Sequence, residues 1–539
     1  MRKHDFDIAV VGSGFGGSLI AMIAKKLGRS VILLERGKHP RFAIGESSTP
    51  LANLLLEELA RRYELPALLP LAKWGSWQKA YPEVACGLKR GFTFYYHRWN
   101  QPFSTDFEHR NQLLVAASPR DEIADTHWYR ADFDHFLVRQ AQTAGVEYLD
   151  ETELRAVSSD AGSLILAGRQ RRHEFSIHAK FLIDATGPRG AMHRALALPE
   201  LRFENLPATQ GLFSHFRNVK RWDAIHASNE PPPYPVDDAA LHHVFEGGWI
   251  WVLRFGNGIT SAGVAVAEKL ASDLNLSEGE PAWHRLLKRL PSVREQFAEA
   301  KPQFGFVHLP RLSFRSGTAA GHRWALLPSA AGFVDPLLST GFALTLLGIR
   351  RLAQALDEDW EKERLARRLE AYSADTLDEL EAGERLVAAL YASMNDFAVF
   401  QTLAMLYFAA VSYAETARRL GRSELAESFL LHKRPVFGRE LRQCCERVLN
   451  RSRNGSLTPA EKAALQDRIF AAIEPIDAAG LRDLSRRNWY PVKAEDLLSA
   501  ADKFGVDTTA VRQLLTRNGF FGPTDEASGL AGGWPMGYA

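Results

Sequence analysis

The chain has 539 residues, 46% hydrophobic and 24% charged, with 66 basic against 64 acidic side chains. That length exceeds one simple domain, and the mix is that of an ordinary soluble globular protein. A formal charge of +2 with no long Lys/Arg run excludes a nucleic-acid surface, and three cysteines (Cys86, Cys444, Cys445) without ligand spacing exclude a disulfide framework and a cysteine metal site.

In chain order, residues 6–11 form a short apolar run, followed by a glycine turn, an apolar-periodic segment over about 18–27 and a second strand over 31–34. This is the β-turn-α-β opening of a doubly wound α/β sheet. The apolar run is too short for a signal peptide, so a cytoplasmic protein is expected. Residues 50–125 are mixed and rich in aromatics, 131–143 have helical spacing, and 181–184 form another buried strand. Residues 204–315 read as β-rich, and 230–235 as a proline-rich loop. From about Thr340 the pattern is helical, and the glycine-rich residues 529–539 are expected to fray. Residues 397–414 run uncharged for nearly a membrane-spanning length, but Gln401, Thr402 and Ser412 and the charged helices around them favour a buried helix over a membrane one.

Chemistry first shows at Gly12-Ser13-Gly14-Phe15-Gly16-Gly17, which fits G-x-G-x-x-G between a strand and a helix. Gly12 permits the tight turn, Gly14 lets a pyrophosphate approach the backbone, and Gly17 lets helix and sheet pack closely. The helix N-terminus offers free N–H groups to phosphate oxygens, and Phe15 and Gly16 lie on the same turn. Glu35 ends the second strand, placed to accept hydrogen bonds from an adenosine ribose, with Arg36 beside it. An acid there suits NAD or FAD. Asp184-Ala185-Thr186-Gly187 follows a strand and brings a backbone turn toward the adenosine half. Gly332-Phe333-Val334-Asp335-Pro336 precedes Ser339-Thr340-Gly341, which opens an apolar helix whose N-terminus would stabilise negative charge on a reduced flavin.

The order of these motifs resembles the FAD-dependent monooxygenase superfamily and, within it, the flavin-dependent halogenases of the tryptophan-halogenase-like family. The resemblance covers about the first 350 residues. Its marks are residues 12–17, Gly45-Glu46-Ser47, residues 184–187, Asp335-Pro336 with Ser339-Thr340-Gly341, and Arg130 ahead of Asp132-Phe133-Asp134. The family's arginine commonly lies near FAD; a plain salt bridge is the other reading of Arg130. The resemblance implies bound FAD in a Rossmann-type domain, a substrate-side β-sheet and a variable helical C-terminus. The expected division is a core over 1–355, with FAD segments at about 1–50, 120–200 and 315–355 and a substrate sheet at about 200–315, then a helical region over 356–539. Ser329, after Pro328, stands where the superfamily usually has aspartate, which implies looser FAD binding. With no second glycine motif for a nicotinamide domain, the expectation is reduced FAD from a partner flavin reductase, or transient docking of NAD(P)H.

Three features bear on the reaction. Lys89, in Gly87-Leu88-Lys89-Arg90-Gly91-Phe92-Thr93-Phe94, matches the lysine that in halogenases meets hypohalous acid; a surface lysine on a turn is the alternative. Gly248-Trp249-Ile250-Trp251 resembles the W-x-W of the halogenase signature, where the tryptophans keep substrate off the flavin. Leu253-Arg254 stands where isoleucine and proline are expected, and alternating core aromatics on a strand explain Trp-x-Trp equally well. The halide is expected on backbone N–H groups at Ser339, Thr340 and Gly341, and Leu338 stands where tryptophan-type halogenases have a catalytic glutamate. The expectation is a halogenase of an electron-rich aromatic, free or tethered to a carrier or peptide. The alternatives are a monooxygenase hydroxylating an aromatic or a protein tryptophan, a reductase of isoprenoid double bonds and a non-catalytic FAD scaffold.

Overall fold

The computed structural model describes residues 4–160, 162–453 and 455–521. The glycine-rich tail 529–539 lies outside the described residues. The first apolar run forms the strand His4–Val11, whose second half is buried on both faces, with Ile8, Ala9 and Val10 wholly inaccessible. Such continuous apolar runs are what a parallel sheet covered on both sides requires. Five strands are parallel, in the order Trp324–Leu326, His173–Asp184, His4–Val11, Val31–Leu34 and Glu147–Leu149. Register places Ile8 beside Phe181 and Val31, so three early segments share one layer. The helices Phe15–Lys26, Arg130–Thr143 and Thr340–Glu358 pack together beside this sheet. An antiparallel extension, Thr152–Asp160 with Ser163–Gln170, pairs with the first half of His173–Asp184.

A second sheet carries the other wall of the site. The strands Thr209–Arg217, Thr260–Ala267, Gly248–Arg254 and Ala240–Phe245 are antiparallel neighbours in that order. The sheet then recruits Gly91–Tyr96, Gln112–Ala116 and Trp489–Tyr490. Two of its strands thus come from ahead of the expected 200–315 span, and one from deep in the helical tail. Period-two alternation sorts its faces: Phe213, Trp249, Trp251 and Ala265 join the large core, whereas Leu212, Ile250, Val252 and Val264 form a second apolar cluster. The helices Glu268–Asp273, Glu280–Lys288 and Pro291–Gln296 cover that second face through Leu270, Trp283, Leu286 and Val293. The β-rich reading of this stretch missed them.

The C-terminal half is helical, with long helices Arg364–Ala392, Phe397–Arg419 and Phe437–Ser452. The apolar helix Phe397–Arg419 lies inside the protein, with Phe400, Leu403, Leu406 and Ala409 buried. Its polar groups find partners. Gln401 donates to the Gln112 carbonyl at 2.7 Å, and Thr402 and Ser412 donate to carbonyls of their own helix. Trp489–Tyr490 adds a short parallel strand to the sheet edge, and Trp489 stacks on His109 at 3.8 Å. An open edge is thereby closed.

Candidate active site

After Val11 the chain turns at Gly12, whose φ of +97° favours glycine. A Cβ there would lie 2.7 Å from the Ala185 carbonyl, and a Cβ on Gly17 would lie 1.8 Å from the Gly12 oxygen. Those two glycines serve backbone packing between strand, helix and the Ala185 turn. Gly14, Phe15 and Gly16 instead line a cavity of about 520 Å³, within the range of cofactor sites. Gly45, Glu46 and Ser47 form a second stretch of its wall, and Gly187 and Ser329 a third. Asp335, Pro336, Ser339, Thr340 and Gly341 close it, with Trp249 and Trp251 on the sheet side. Segments separated by more than 300 residues therefore meet around one space.

Three expected site residues stand behind this wall rather than in it. Glu35 accepts from the N–H and hydroxyl of Ser13 at 3.0 Å each, from the Gly37 N–H at 2.8 Å and from Arg41 at 3.4 Å. Burial pushes its carboxyl up, but Arg41 and the two N–H donors outweigh burial and hold it below the usual range. A ribose hydroxyl would have to compete with these donors. Arg36 is exposed and outside the cavity. Asp184 is buried; it accepts from the Thr186 N–H and hydroxyl and from the Met192 N–H, so it shapes the turn that carries Gly187.

Arg130 is a salt-bridged residue on the cavity wall. It forms a two-pronged pair with Asp134 at 2.8 Å per contact, donates to the carbonyls of Ile44 and Gly45, and lines the cavity. Trp249 donates to Tyr391 at 3.1 Å and to Asp335 at 3.3 Å, and the Tyr391 hydroxyl donates to Asp335 at 2.9 Å. Burial pushes Asp335 up to about 7 despite these donors. The W-x-W tryptophans are thus core aromatics that also wall the cavity, and one is tied to the Asp335 loop. Arg254, in the position expected for proline, pairs with Asp237 at 3.1 Å and donates to the Val219 and Lys220 carbonyls. It anchors a loop outside the cavity.

Leu338 and Ser339 both adopt left-handed φ, +66° and +54°, before the helix Thr340–Glu358. Non-glycine residues there are strained. Tyr407, from the apolar helix, donates to the Leu338 carbonyl at 2.6 Å and holds the turn. No side chain caps this helix N-terminus, so its first N–H groups are available to a ligand.

Lys89 is wholly buried, not a surface lysine. Its ammonium donates to the Ser47 hydroxyl at 2.8 Å and the Ser48 carbonyl at 2.5 Å, and lies 4.0 Å over the Phe92 ring. Ser47 lines the first cavity; Phe92 lines a second one, of about 170 Å³. Asp125 is its cross-strand partner. Burial pushes the lysine below its ordinary value and Asp125 opposes this; burial likewise raises Asp125, which accepts from Asn53 at 2.9 Å. Asp125, Tyr391 and Tyr407 carry no local sequence signal, and only the fold brings them here.

The first cavity fits FAD. Its glycine turn presents no side chain at Gly14 or Gly16, a Cβ on Gly341 would meet open space, and Glu46 keeps one buried carboxylate oxygen without a partner. Among the described residues there is no cluster suited to a metal ion.

The comparisons agree with this geometry. The model of the tryptophan halogenase family matches residues 125–396, and that of an FAD-binding domain matches residues 7–218. Monodechloroaminopyrrolnitrin halogenase PrnC of Pseudomonas fluorescens is 29% identical over 420 residues, covering 75% of this chain and 72% of that protein. Tetracycline 7-halogenase of Kitasatospora aureofaciens is 28% identical over 429 residues, covering 75% and 73%. A 1H-pyrrole-2-carbonyl-(peptidyl-carrier protein) chlorinase of Pseudomonas fluorescens is 25% identical over 366 residues, covering 65% and 75%. In fold, the crystal structure of halogenase PltM superposes with a TM-score of 0.79 at 24% identity, over 90% of this chain and 99% of that one. Half of the chain matches one family model, and its cavity fits that family's cofactor: the chain belongs to the tryptophan halogenase family of FAD-dependent enzymes.

Proposed function

We propose that this chain is a FAD-dependent halogenase that oxidises halide in the first cavity and delivers the halogen past Lys89 to an electron-rich ring in the second. One observation carries the reading. The Lys89 ammonium is bound to Ser47 of the first cavity and lies against Phe92 of the second. Bound reduced FAD supplies, with oxygen, the two-electron oxidation that turns halide into hypohalous acid.

In this reading the chain's own residues hold, shield and hand on. Gly14 and Gly16 admit the pyrophosphate, with Gly12 and Gly17 fixing the turn, and Arg130, Ser329 and Gly187 contact the cofactor. The uncapped N–H groups at Thr340 and Gly341, reached over Ser339, hold the halide. Trp249 and Trp251 wall the ring system off from the acceptor. Lys89 donates a hydrogen bond to the oxygen of the hypohalous acid, which makes the halogen more electrophilic. A partner flavin reductase supplies reduced FAD, and the acceptor is an aromatic molecule, free or held on a carrier or peptide.

The test is turnover with reductase-supplied reduced FAD, oxygen and bromide against a panel of phenols, pyrroles and indoles. A bromine isotope doublet on a product is the expected result. Oxygenated product indifferent to bromide would make the enzyme a hydroxylase instead.

A further inference from the structure

The second cavity has a polar end that the halogen-transfer reading does not use. Its apolar wall is built by Phe92, Val115, Phe408, Leu481 and Leu515. Glu415 and Arg419, on the last turns of the helix Phe397–Arg419, stand in the same lining with Lys73. Arg419 donates to Glu415 Oε1 at 2.7 Å and to the Asn518 side chain at 3.2 Å, and Lys73 donates to the Asn518 carbonyl at 3.2 Å. One carboxylate oxygen is thus fixed by a guanidinium, while Oε2 accepts no hydrogen bond from any described residue. Leu338, which stands where tryptophan-type halogenases have a catalytic glutamate, supplies only a carbonyl to Tyr407. The described residues lining this cavity include one carboxylate, and it is Glu415.

Volume limits what enters. An apolar cavity of about 150 Å³ accommodates benzene, so about 170 Å³ suits one substituted ring better than a fused or linked pair. A buried wall of aromatic and aliphatic carbon selects an apolar ring face, and the carboxylate at its end accepts a hydrogen bond from an acidic X–H on that ring.

Resting on the halogenase reading, we propose that Glu415 is the proton acceptor of the halogenation step, and that the acceptor is a single ring carrying a phenolic O–H or a pyrrole N–H. A π pair of the ring forms the carbon–halogen bond, and the oxygen–halogen bond of hypohalous acid breaks. The departing hydroxide takes a proton from the Lys89 ammonium and leaves as water. The ring's X–H proton passes to Glu415 as the new bond forms, so the ring never carries a full positive charge. Rearomatisation releases the C–H proton to restore X–H, and solvent exchange returns Glu415 to carboxylate and Lys89 to ammonium. The sum is ring C–H plus hypohalous acid giving ring C–halogen plus water.

The experiment uses the full chain with FAD, partner reductase and bromide, and compares wild type with Glu415→Gln, which keeps the contact to Arg419. Three acceptors are used: a simple phenol, its methyl ether and a pyrrole. For phenol, kcat falls about 10²-fold in Glu415→Gln, in line with loss of a positioned base. Phenol affinity measured by calorimetry without turnover falls only about fivefold, as a neutral amide oxygen replaces the carboxylate in one hydrogen bond. The methyl ether has no proton to give, so wild type and variant brominate it equally slowly. The pyrrole arm decides which X–H donor the site reads. Unchanged phenol bromination in Glu415→Gln, or a wild type that brominates ether and phenol alike, overturns the proposal. A wild type that brominates naphthol as fast as phenol overturns the one-ring limit, and both wild-type comparisons hold even if the variant misfolds. Failure of the halogenase reading looks different: wild type then brominates none of the acceptors.

Discussion

Replacing Lys89 by methionine separates a lysine that reacts from one that merely packs. Methionine keeps the unbranched apolar stem and removes the ammonium. The Ser48 carbonyl then lacks a donor, which costs about 1–3 kcal/mol, and the contact over Phe92 is lost at a cost of about 1–2 kcal/mol. Against this, no ammonium is taken out of water, a relief of several kcal/mol, on the order of 3, for a fully buried ion. Asp125, whose carboxyl burial already raises, takes up a proton once the ammonium is gone, so no charge is stranded and the terms nearly cancel. K89M therefore shifts the unfolding free energy by less than about 2 kcal/mol near neutral pH, while bromination falls about 10²- to 10⁴-fold. Oxidation of reduced FAD continues at the wild-type rate. The pH dependence gives a second signature. Burial lowers the Lys89 pKa and Asp125 only partly offsets it, so between that lowered value and the ordinary lysine value of about 10.4 the unfolded chain binds more protons at this site. Stability contributed by the site therefore rises with pH across that window. K89M lacks this slope, so its stability relative to wild type is greatest below the window and declines through it. Urea midpoints at several pH values and product mass spectra provide both readouts. Loss of more than about 4 kcal/mol, the cost of stranding one partner of a buried pair, with bromination per folded molecule retained, would refute the reasoning.

Tyr407→Phe removes the donor to the Leu338 carbonyl and about 1 kcal/mol of restraint on the strained turn; the bromide KM rises about fivefold with FAD affinity unchanged, as a bromide titration reads. Ser329→Asp places a carboxylate in the first cavity and adds about 1 kcal/mol through a charge-assisted bond; the FAD Kd falls about fivefold in a fluorescence titration, and weaker binding would contradict the assignment. Gly14→Ala and Gly17→Ala divide the two uses of glycine. A Cβ at 14 sits 3.4 Å from Arg130, so the fold survives within about 1 kcal/mol and FAD affinity drops. A Cβ at 17 meets the Gly12 oxygen at 1.8 Å, so Gly17→Ala lowers the yield of folded protein.

What the sequence disclosed followed the distance along the chain between cooperating residues. The turn at Gly12 to Gly17 was legible because strand, turn and helix are consecutive, and steric need alone fixes glycine at two positions. The roles of Glu35 and Asp184 read less well: a motif names the residue type but not whether its oxygens point at a ligand or at Ser13, Gly37, Thr186 and Met192. Lys89 was legible as a candidate, but its burial depends on Ser47, Phe92 and Asp125 arriving from three elements. The second cavity had no signature, since Phe92 lies more than 300 residues from Glu415, Leu481 and Leu515, which are themselves spread over the C-terminal helical region. Trp489–Tyr490 looked like part of a helical tail because a two-residue strand is too short to show alternation.

The central claim is that the halogen travels inside the protein, past Lys89, from one cavity to the other. Bromination of a single-ring phenol in the presence of excess free methionine, which consumes hypobromous acid in bulk water, tests it most directly. The account predicts that wild-type yield is unaffected by methionine and that K89M makes no more product with or without it. Product that disappears from the wild-type reaction as methionine is added would show that the halogen leaves the protein before it meets the ring, and would contradict the account.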